Sequence, residues 1–225
     1  LGYNVVYAQM GRGKTEKTLA FAMASVAATT GKLAMDITLY MGQNFGFIRF
    51  PDELTTGSSI MPHKKNPDVF ELVRARCNLV QQLPAEVAAV TANLPAGYHR
   101  DFQVLKESLA DRLQHLKDCL QVMTYALQQV QIKEDILKDT RYRYIFSVEK
   151  VNEAVLQGVP FREAYQQIAR EIDSGEYTEP DSVQHTHEGS IGNLCNSQIK
   201  QKFEAVLARF NFEKALEAEK VLLGK

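Results

Sequence analysis

Apolar residues recur every three or four positions over long stretches of this chain, which is the pattern of helices with one buried face. An alanine-rich run predicts a first long helix over 15–43, interrupted only by Gly31. A second is predicted over 68–92, with a kink at Pro84. The third, over 105–130, repeats leucine as a coiled-coil seam does. At ~1.5 Å per residue, about 26 residues span ~40 Å, so we expect such helices to self-associate.

The pattern changes after Thr140, where shorter periodic units are separated by polar segments. The spacing from Phe161 to Ile172 predicts one buried stripe on one of these helices. We therefore expect an all-α protein with a long-helix bundle over 1–138 and a small C-terminal helical domain over 139–225. The four shorter helices are predicted over 144–156, 161–172, 196–210 and 212–223.

The composition argues against nucleic acid and membranes as binding partners of this protein. The 225 residues carry a net charge of -1, so no overall basic field favours nucleic acid or an acidic membrane surface. Charges interrupt the apolar stretches before the roughly 18 residues of a membrane helix, and no signal segment opens the chain. We expect a cytoplasmic protein without membrane contact. Cys77, Cys119 and Cys195 lack paired metal or redox spacing and are predicted to be free thiols.

The densest polar chemistry lies in GSSIMPHKKNP, from Gly57 to Pro67. Gly57 permits unusual dihedrals, and the following serines offer consecutive N–H groups that could face an anion. Asn66 and Pro67 match a helix N-cap and first helical position, and Lys64 with its neighbouring lysine adds positive charge there. The run predicts a carboxylate or phosphate site, although its separate dipeptides also fit a well-capped surface loop.

The complete run 57–67 resembles the signature of the fumarase and aspartase superfamily, whose members cleave C–N or C–O bonds to release fumarate. Segments 66–77, 94–107 and 159–165 are similar to the argininosuccinate lyase family within it. The resemblance implies β-elimination of argininosuccinate to arginine and fumarate, a step of arginine biosynthesis that needs no cofactor. It also implies a homotetramer built on a central helical bundle, with each site formed by three subunits.

The resemblance assigns roles to residues of the signature. Ser58 matches the catalytic base, and because serine is a weak base, its alkoxide needs nearby N–H groups and Lys64. Lys64 and Asn66 match the residues that hold the carboxylate and its dianionic intermediate. Glu71 matches an acidic residue that pairs with a histidine from another subunit, although an i, i+3 pair with Arg74 is an equal alternative. The residues that match substrate contacts or their support are Ser59, Tyr98, Gln103 and Lys106.

Residues 94–107, which we call the substrate segment, depart from the family pattern at three positions. His99 replaces a common asparagine, and Val104 and Leu105 stand where acidic residues are usual, so the resemblance does not fix the details of substrate fit. Without the resemblance, Lys106 would be interpreted as a solvated lysine at a helix start. The family's chains are longer, and their N-terminal half carries the histidine proton donor. We therefore expect this chain to correspond to a C-terminal portion with little lyase activity by itself.

The sequence also offers alternatives to an argininosuccinate lyase function. GRGKT, from Gly11 to Thr15, follows a β-prone Tyr3–Tyr7 and suggests a phosphate loop, but Ala8 replaces the required first glycine. A metal site at His185 and His187 is disfavoured because no third ligand is suitably spaced. The signature itself also fits an adenylosuccinate lyase, an aspartase-like enzyme or a non-catalytic helical oligomer.

Overall fold

The computed structural model describes residues 5–180, 183 and 185–224, and it confirms an all-α protein. The chain forms two compact units, Leu1–Ile136 and Leu137–Lys225. The helices of the first are α1 Val5–Met10, α2 Lys14–Met41, α3 Asp68–Gln81, α4 Leu83–Val90 and α5 Val104–Leu127. Its strands are β1 Ile48–Arg49, β2 Thr56–Gly57, β3 Lys65–Asn66 and β4 Gln131–Ile132. The helices of the second are α6 Ser147–Leu156, α7 Phe161–Ser174, α8 Asn196–Leu207 and α9 Glu213–Leu222.

Helix α2 is the centre of the first unit and packs against α3, α4 and α5. A Cβ added at Gly31 would lie 3.1 Å from the Cβ of Cys77, so glycine allows a close helix approach at this position. By length and hydropathy, α2 is also the helix among those described that could cross a membrane, which was not expected from the sequence. Alanine raises its hydropathy, and the face packed on the other helices is that of a core helix. Its buried residues are Ala20, Met23, Ala27, Thr30, Gly31, Ala34 and Ile37.

The second predicted helix is two helices, because the chain breaks at Gln82 between α3 and α4. Pro84 has no N–H to donate to the preceding turn, and it lies buried in the first turn of α4 instead. The kink predicted at Pro84 is therefore present as a complete helix break. The two helices continue along the same side of α2.

The seam predicted on α5 separates into two faces. Leu105, Leu116 and Met123 are buried in the core of the first unit, whereas Leu113 and Leu120 are exposed by 42% and 41%. The leucines of α5 repeat at both three and four positions, so they cover a wider arc than one neighbouring layer can bury. The first unit consequently presents apolar side chains on its outside.

The second unit packs α6 against α7 around a small core. Ala164 and Ile168 of the predicted stripe are buried there, but Phe161 and Tyr165 are exposed by 63% and 61%, so the prediction of one continuous buried stripe was wrong. The side of α7 that carries Ala164 and Ile168 packs against α6 and Tyr177. The β-prone character assigned to Tyr3–Tyr7 was also wrong for its described part, because α1 begins at Val5.

The thiols of Cys77 and Cys119 are buried between α3 and α5, and their burial gives a prediction about reactivity. Desolvation raises the pKa of Cys77 to about 12 and also raises the pKa of Cys119. Since the thiolate is the reactive form, the raised pKa of both buried thiols slows their reaction with an alkylating reagent. We expect alkylation of the native protein to modify Cys195, which is half-buried, well before the other two.

Mass spectrometry of peptides after timed alkylation would measure these rates. Denaturant should abolish the difference between the three cysteines, and Cys195→Ser should remove the fast phase. Rapid modification of Cys77 in the folded protein would contradict the buried arrangement.

Candidate active site

The signature run folds as a short hairpin at the end of α2 and the start of α3. Strands β2 and β3 pair antiparallel, with Thr56 opposite Asn66 and Gly57 opposite Lys65. Continued by one residue beyond the paired strands, this register would place Ser58 opposite Lys64, where the loop begins. Sequence separation had suggested only that they belong to one loop.

The hydroxyl oxygen of Ser58 accepts hydrogen bonds from backbone N–H groups of the hairpin. The backbone N–H groups of Ile60 and Met61 donate to Ser58 Oγ at 3.2 and 3.1 Å. The residue is half-buried, whereas Ser59 is exposed. Two N–H donors aimed at one oxygen favour its negatively charged form over the neutral hydroxyl. The geometry can therefore stabilise an alkoxide at Ser58.

The two lysines of the run have different surroundings. Lys65 Nζ lies 2.7 Å from Asp52 Oδ1 in an exposed ion pair. Lys64 is also exposed, and no acidic side chain in the described part of the chain pairs with it. Its ammonium group is thus available to an added anion, while that of Lys65 is held by Asp52.

Asn66 is not the N-cap of α3, so that prediction was wrong. The helix begins at Asp68 with Pro67 at the capping position, and no side chain caps it. Asn66 lies in strand β3, and its Nδ2 donates to the carbonyl of Gly57 at 3.3 Å. Thr56 donates a short hydrogen bond to the Asp68 carboxylate, which ties the hairpin to the first turn of α3. One N–H of the Asn66 amide is therefore directed back into the hairpin, and that bond does not use the second N–H.

Glu71 lies exposed in the first turn of α3. The alternative i, i+3 ion pair with Arg74 does not form among the described residues, and Arg74 Nη1 lies 2.9 Å from Met35 Sδ instead. The carboxylate is left on the surface beside the hairpin, where a partner from another molecule could reach it.

The substrate segment lies between α4 and α5. Gly97 has a φ of 125° and precedes Tyr98, which is 51% exposed. A short 3-10 helix, Arg100–Gln103, then leads into α5, and both Gln103 and Lys106 are exposed. These predicted contacts therefore share one accessible region.

The structure also shows the surroundings of two residues that depart from the family pattern, Leu105 and His99. Leu105 is 3% exposed and packs in the core, so an acidic residue at position 105 would be buried. His99 Nε2 lies 2.9 Å from the carbonyl of Pro95 and stays within its own loop.

The hairpin and the substrate segment lie at opposite ends of the first unit. Helix α2 runs antiparallel to α3 and α4, since Gly13 at its start contacts Thr91, and Met35 near its end contacts Arg74. Between the two regions α3 and α4 cover about 23 residues, or about 35 Å at ~1.5 Å per residue. One small molecule is shorter than that distance, so we expect Ser58 and Tyr98 of one chain to face different ligands.

Contacts within the chain also argue against the phosphate loop at Gly11–Thr15 and the metal site at His185 and His187. Glu16 Oε2 accepts the N–H of Gly13 at 2.9 Å, so a carboxylate of the chain itself occupies the turn where a nucleotide phosphate would bind. The helix α1 that precedes GRGKT also replaces the strand that a phosphate loop follows. In the second unit, His185 Nε2 lies 2.9 Å from Glu149 Oε1, and its ring stacks on His187 at 5.6 Å. No group of three metal-binding side chains was found in the described ranges.

Comparison with known proteins agrees with this architecture. Residues 15–81 match the sequence family described as lyase. The fold is similar to that of an EDDS lyase variant with bound fumarate, with a TM-score of 0.62 and 16% identity, over 78% of this chain and 36% of the other. The chain thus shares its helical-bundle fold with solved lyases.

The sequence comparison is more specific. The chain is 55% identical to the argininosuccinate lyase of Parabacteroides distasonis, over 99% of this chain and 50% of the relative. It is 53% identical to that of Bacteroides thetaiotaomicron, over 100% of this chain and 50% of the relative. The chain therefore belongs to the argininosuccinate lyase family, where it aligns with the C-terminal portion. It spans about half the length of the curated relatives it matches.

Proposed function

We propose that the full-length protein containing this chain cleaves argininosuccinate to arginine and fumarate, as a cytoplasmic step of arginine biosynthesis. The observation that carries the proposal is Ser58 Oγ, which accepts two backbone N–H groups at the mouth of a hairpin that also presents Lys64. The names of its relatives support the same reaction. The chemistry needs no redox or group-carrying cofactor, because only a proton and a C–N bond are involved.

In the proposed mechanism, the Ser58 alkoxide takes a proton from the carbon next to a substrate carboxylate. The electron pair left behind moves onto that carboxyl group, which then carries two negative charges. Lys64 supplies a positive charge there and Asn66 an amide donor, with Ser59 as support. The pair then forms the double bond of fumarate while the C–N bond breaks towards the guanidinium nitrogen. That nitrogen receives a proton and leaves as arginine, and we assign Glu71 to pair with the histidine that supplies it.

A complete site in this proposal combines segments from different copies of the protein. The separation of about 35 Å along α3 and α4 means that the hairpin of one copy must meet Tyr98, Gln103 and Lys106 of another. Exposed apolar side chains on α2 and α5 offer surfaces for such packing, among them Phe21, Leu33, Leu39, Leu113 and Leu120. We propose a homotetramer, the assembly that the family resemblance implies.

The direct test is a substrate panel. The purified full-length protein would be mixed with argininosuccinate, adenylosuccinate, aspartate or malate, and fumarate would be followed by its ultraviolet absorbance. We expect turnover of argininosuccinate alone, because segment 94–107 is similar to that family. Turnover of another member of the panel instead would favour a sister lyase, and no turnover of any would favour a non-catalytic helical oligomer.

The unequal surroundings of the two lysines give a matched pair of variants. Lys64→Ala should lower kcat about 10²- to 10³-fold, because it removes a charge that faces the dianionic intermediate. Lys65→Ala should change kcat less than about threefold, because an exposed ion pair with Asp52 stabilises little. Steady-state fumarate release measures both variants of the full-length protein. Equal losses in the two variants would contradict the assignment of Lys64.

A further inference from the structure

The GRGKT turn, which the proposed mechanism does not use, lies against the substrate segment. Gly13 has a φ of 90°, and a Cβ added there would lie 3.0 Å from Thr91 Cγ2 and 3.3 Å from Phe102 Cε1. A side chain at position 13 would therefore be strained and would separate the start of α2 from the segment. The close approach brings the neighbouring side chain of Arg12 over the segment's rings.

Arg12 is held from two sides. Its guanidinium carbon lies 4.8 Å from the ring centroid of Phe102 and 5.4 Å from that of Tyr98. On the other side, Arg12 Nε lies 3.4 Å from Glu16 Oε1. The second oxygen of the same carboxylate accepts the N–H of Gly13, so Glu16 fixes both the turn and the arginine. Both distances to the rings are within the range of cation–π contacts.

The two rings that Arg12 contacts differ in their environment. Phe102 is 5% exposed and belongs to the core, whereas Tyr98 is 51% exposed and follows Gly97, whose backbone is in the left-handed region. Arg12 thus connects a fixed ring to an accessible ring. Without it, the Tyr98 side chain would lose one of its contacts with the rest of the unit and would sample more rotamers.

We propose that Arg12 is a positioning residue, which holds the Tyr98 ring in the orientation that binds substrate. The role rests on the proposed function, because it acts through a residue assigned to substrate contact. Arg12 contributes to binding and not to proton transfer, so its removal should act on KM more than on kcat. Arginine suits the position because its planar guanidinium can stack on both rings while its Nε reaches Glu16.

The test compares variants of the full-length protein by steady-state fumarate release. Arg12→Ala should raise KM for argininosuccinate about three- to tenfold and change kcat less than about twofold. Arg12→Lys should recover part of the loss, because an ammonium group keeps the charge but not the planar stacking. In a Tyr98→Ala background, replacement of Arg12 by alanine or by lysine should have almost no further effect on KM.

Arg141→Ala is the matched control in the second unit. Arg141 also pairs with a carboxylate, that of Asp139, and lies 5.7 Å from the ring centroid of Tyr142. This control should leave KM unchanged, and thermal unfolding would show whether each variant keeps its fold. If Arg12→Ala does not fold, Arg12→Lys with and without Tyr98→Ala gives the same comparison.

The outcomes separate this role from the proposed function. No turnover by the unaltered protein would end the proposed function and the role with it. Normal turnover with no change of KM in the Arg12 variants would end the role alone. An effect of the same size with and without Tyr98 would also overturn it, because Arg12 would then act on the substrate directly.

Discussion

Replacement of Ser58 with alanine should lower kcat about 10²- to 10⁴-fold in the full-length protein, the range expected for loss of a general base. The backbone N–H groups of Ile60 and Met61 would remain, but there would be no oxygen between them to take the proton. KM should change much less than kcat, because Lys64 and Asn66 would still hold the carboxylate. Fumarate release under saturating substrate measures the loss directly.

A suitable control for this variant is Ser174→Ala. Ser174 is an exposed serine in the second unit whose hydroxyl donates to the carbonyl of Glu171 at 3.2 Å, so its loss removes a similar local hydrogen bond. We expect its kcat to stay within about twofold of the unaltered protein, as for other surface substitutions. Circular dichroism should show the same helix content in both variants. Unchanged turnover by Ser58→Ala would disprove its assignment as the base.

Two inactive variants should restore activity when they assemble together. One carries Ser58→Ala, and the other carries Tyr98→Ala with Lys106→Ala. The first variant therefore lacks a working hairpin, and the second lacks a working substrate segment. If each site takes its hairpin from one copy and its substrate segment from another, random mixing leaves both parts intact in about a quarter of the sites. Co-expressed and co-purified variants should therefore reach about a quarter of the activity of the unaltered protein.

The comparison depends on mixed assemblies, so the two variants would carry different affinity tags and be purified through both. Differently tagged copies of Ser58→Ala alone, treated in the same way, should recover nothing. If the doubly purified mixture of the two different variants is as inactive as its components, both parts of each site come from one chain. That result would contradict the separation of the two ends along α3 and α4.

The helices of this protein were largely predictable because each depends on local spacing. Periodic leucines and alanines located α2 and α5 within a few residues, and the missing N–H of Pro84 predicted the interruption between α3 and α4. The prediction of one continuous buried stripe on α7 was wrong, because periodicity identifies an apolar face but not the area that a neighbour covers. Burial depends on contacts between distant segments.

The same division holds for the candidate site. The composition of 57–67 was enough to predict an anion-binding loop next to a helix start, and the resemblance gave its residues their roles. The strand pairing that engages Asn66, and the ion pair of Lys65 with Asp52, depend on how the hairpin closes. Arg12 was missed because its contacts with Tyr98 and Phe102 join segments more than 80 residues apart. The one local signal near it was the glycine pair around it, which had suggested a phosphate loop.

The sequence by itself determined the helices, the signature loop and the family, because all three depend on residue types at fixed short spacings. Only the tertiary structure decided which lysine stays available, which arginine contacts the Tyr98 ring, and that Ser58 and Tyr98 lie at opposite ends of the bundle. The physical reason is that antiparallel packing of long helices sets distances between remote segments. A linear pattern contains no measure of those distances.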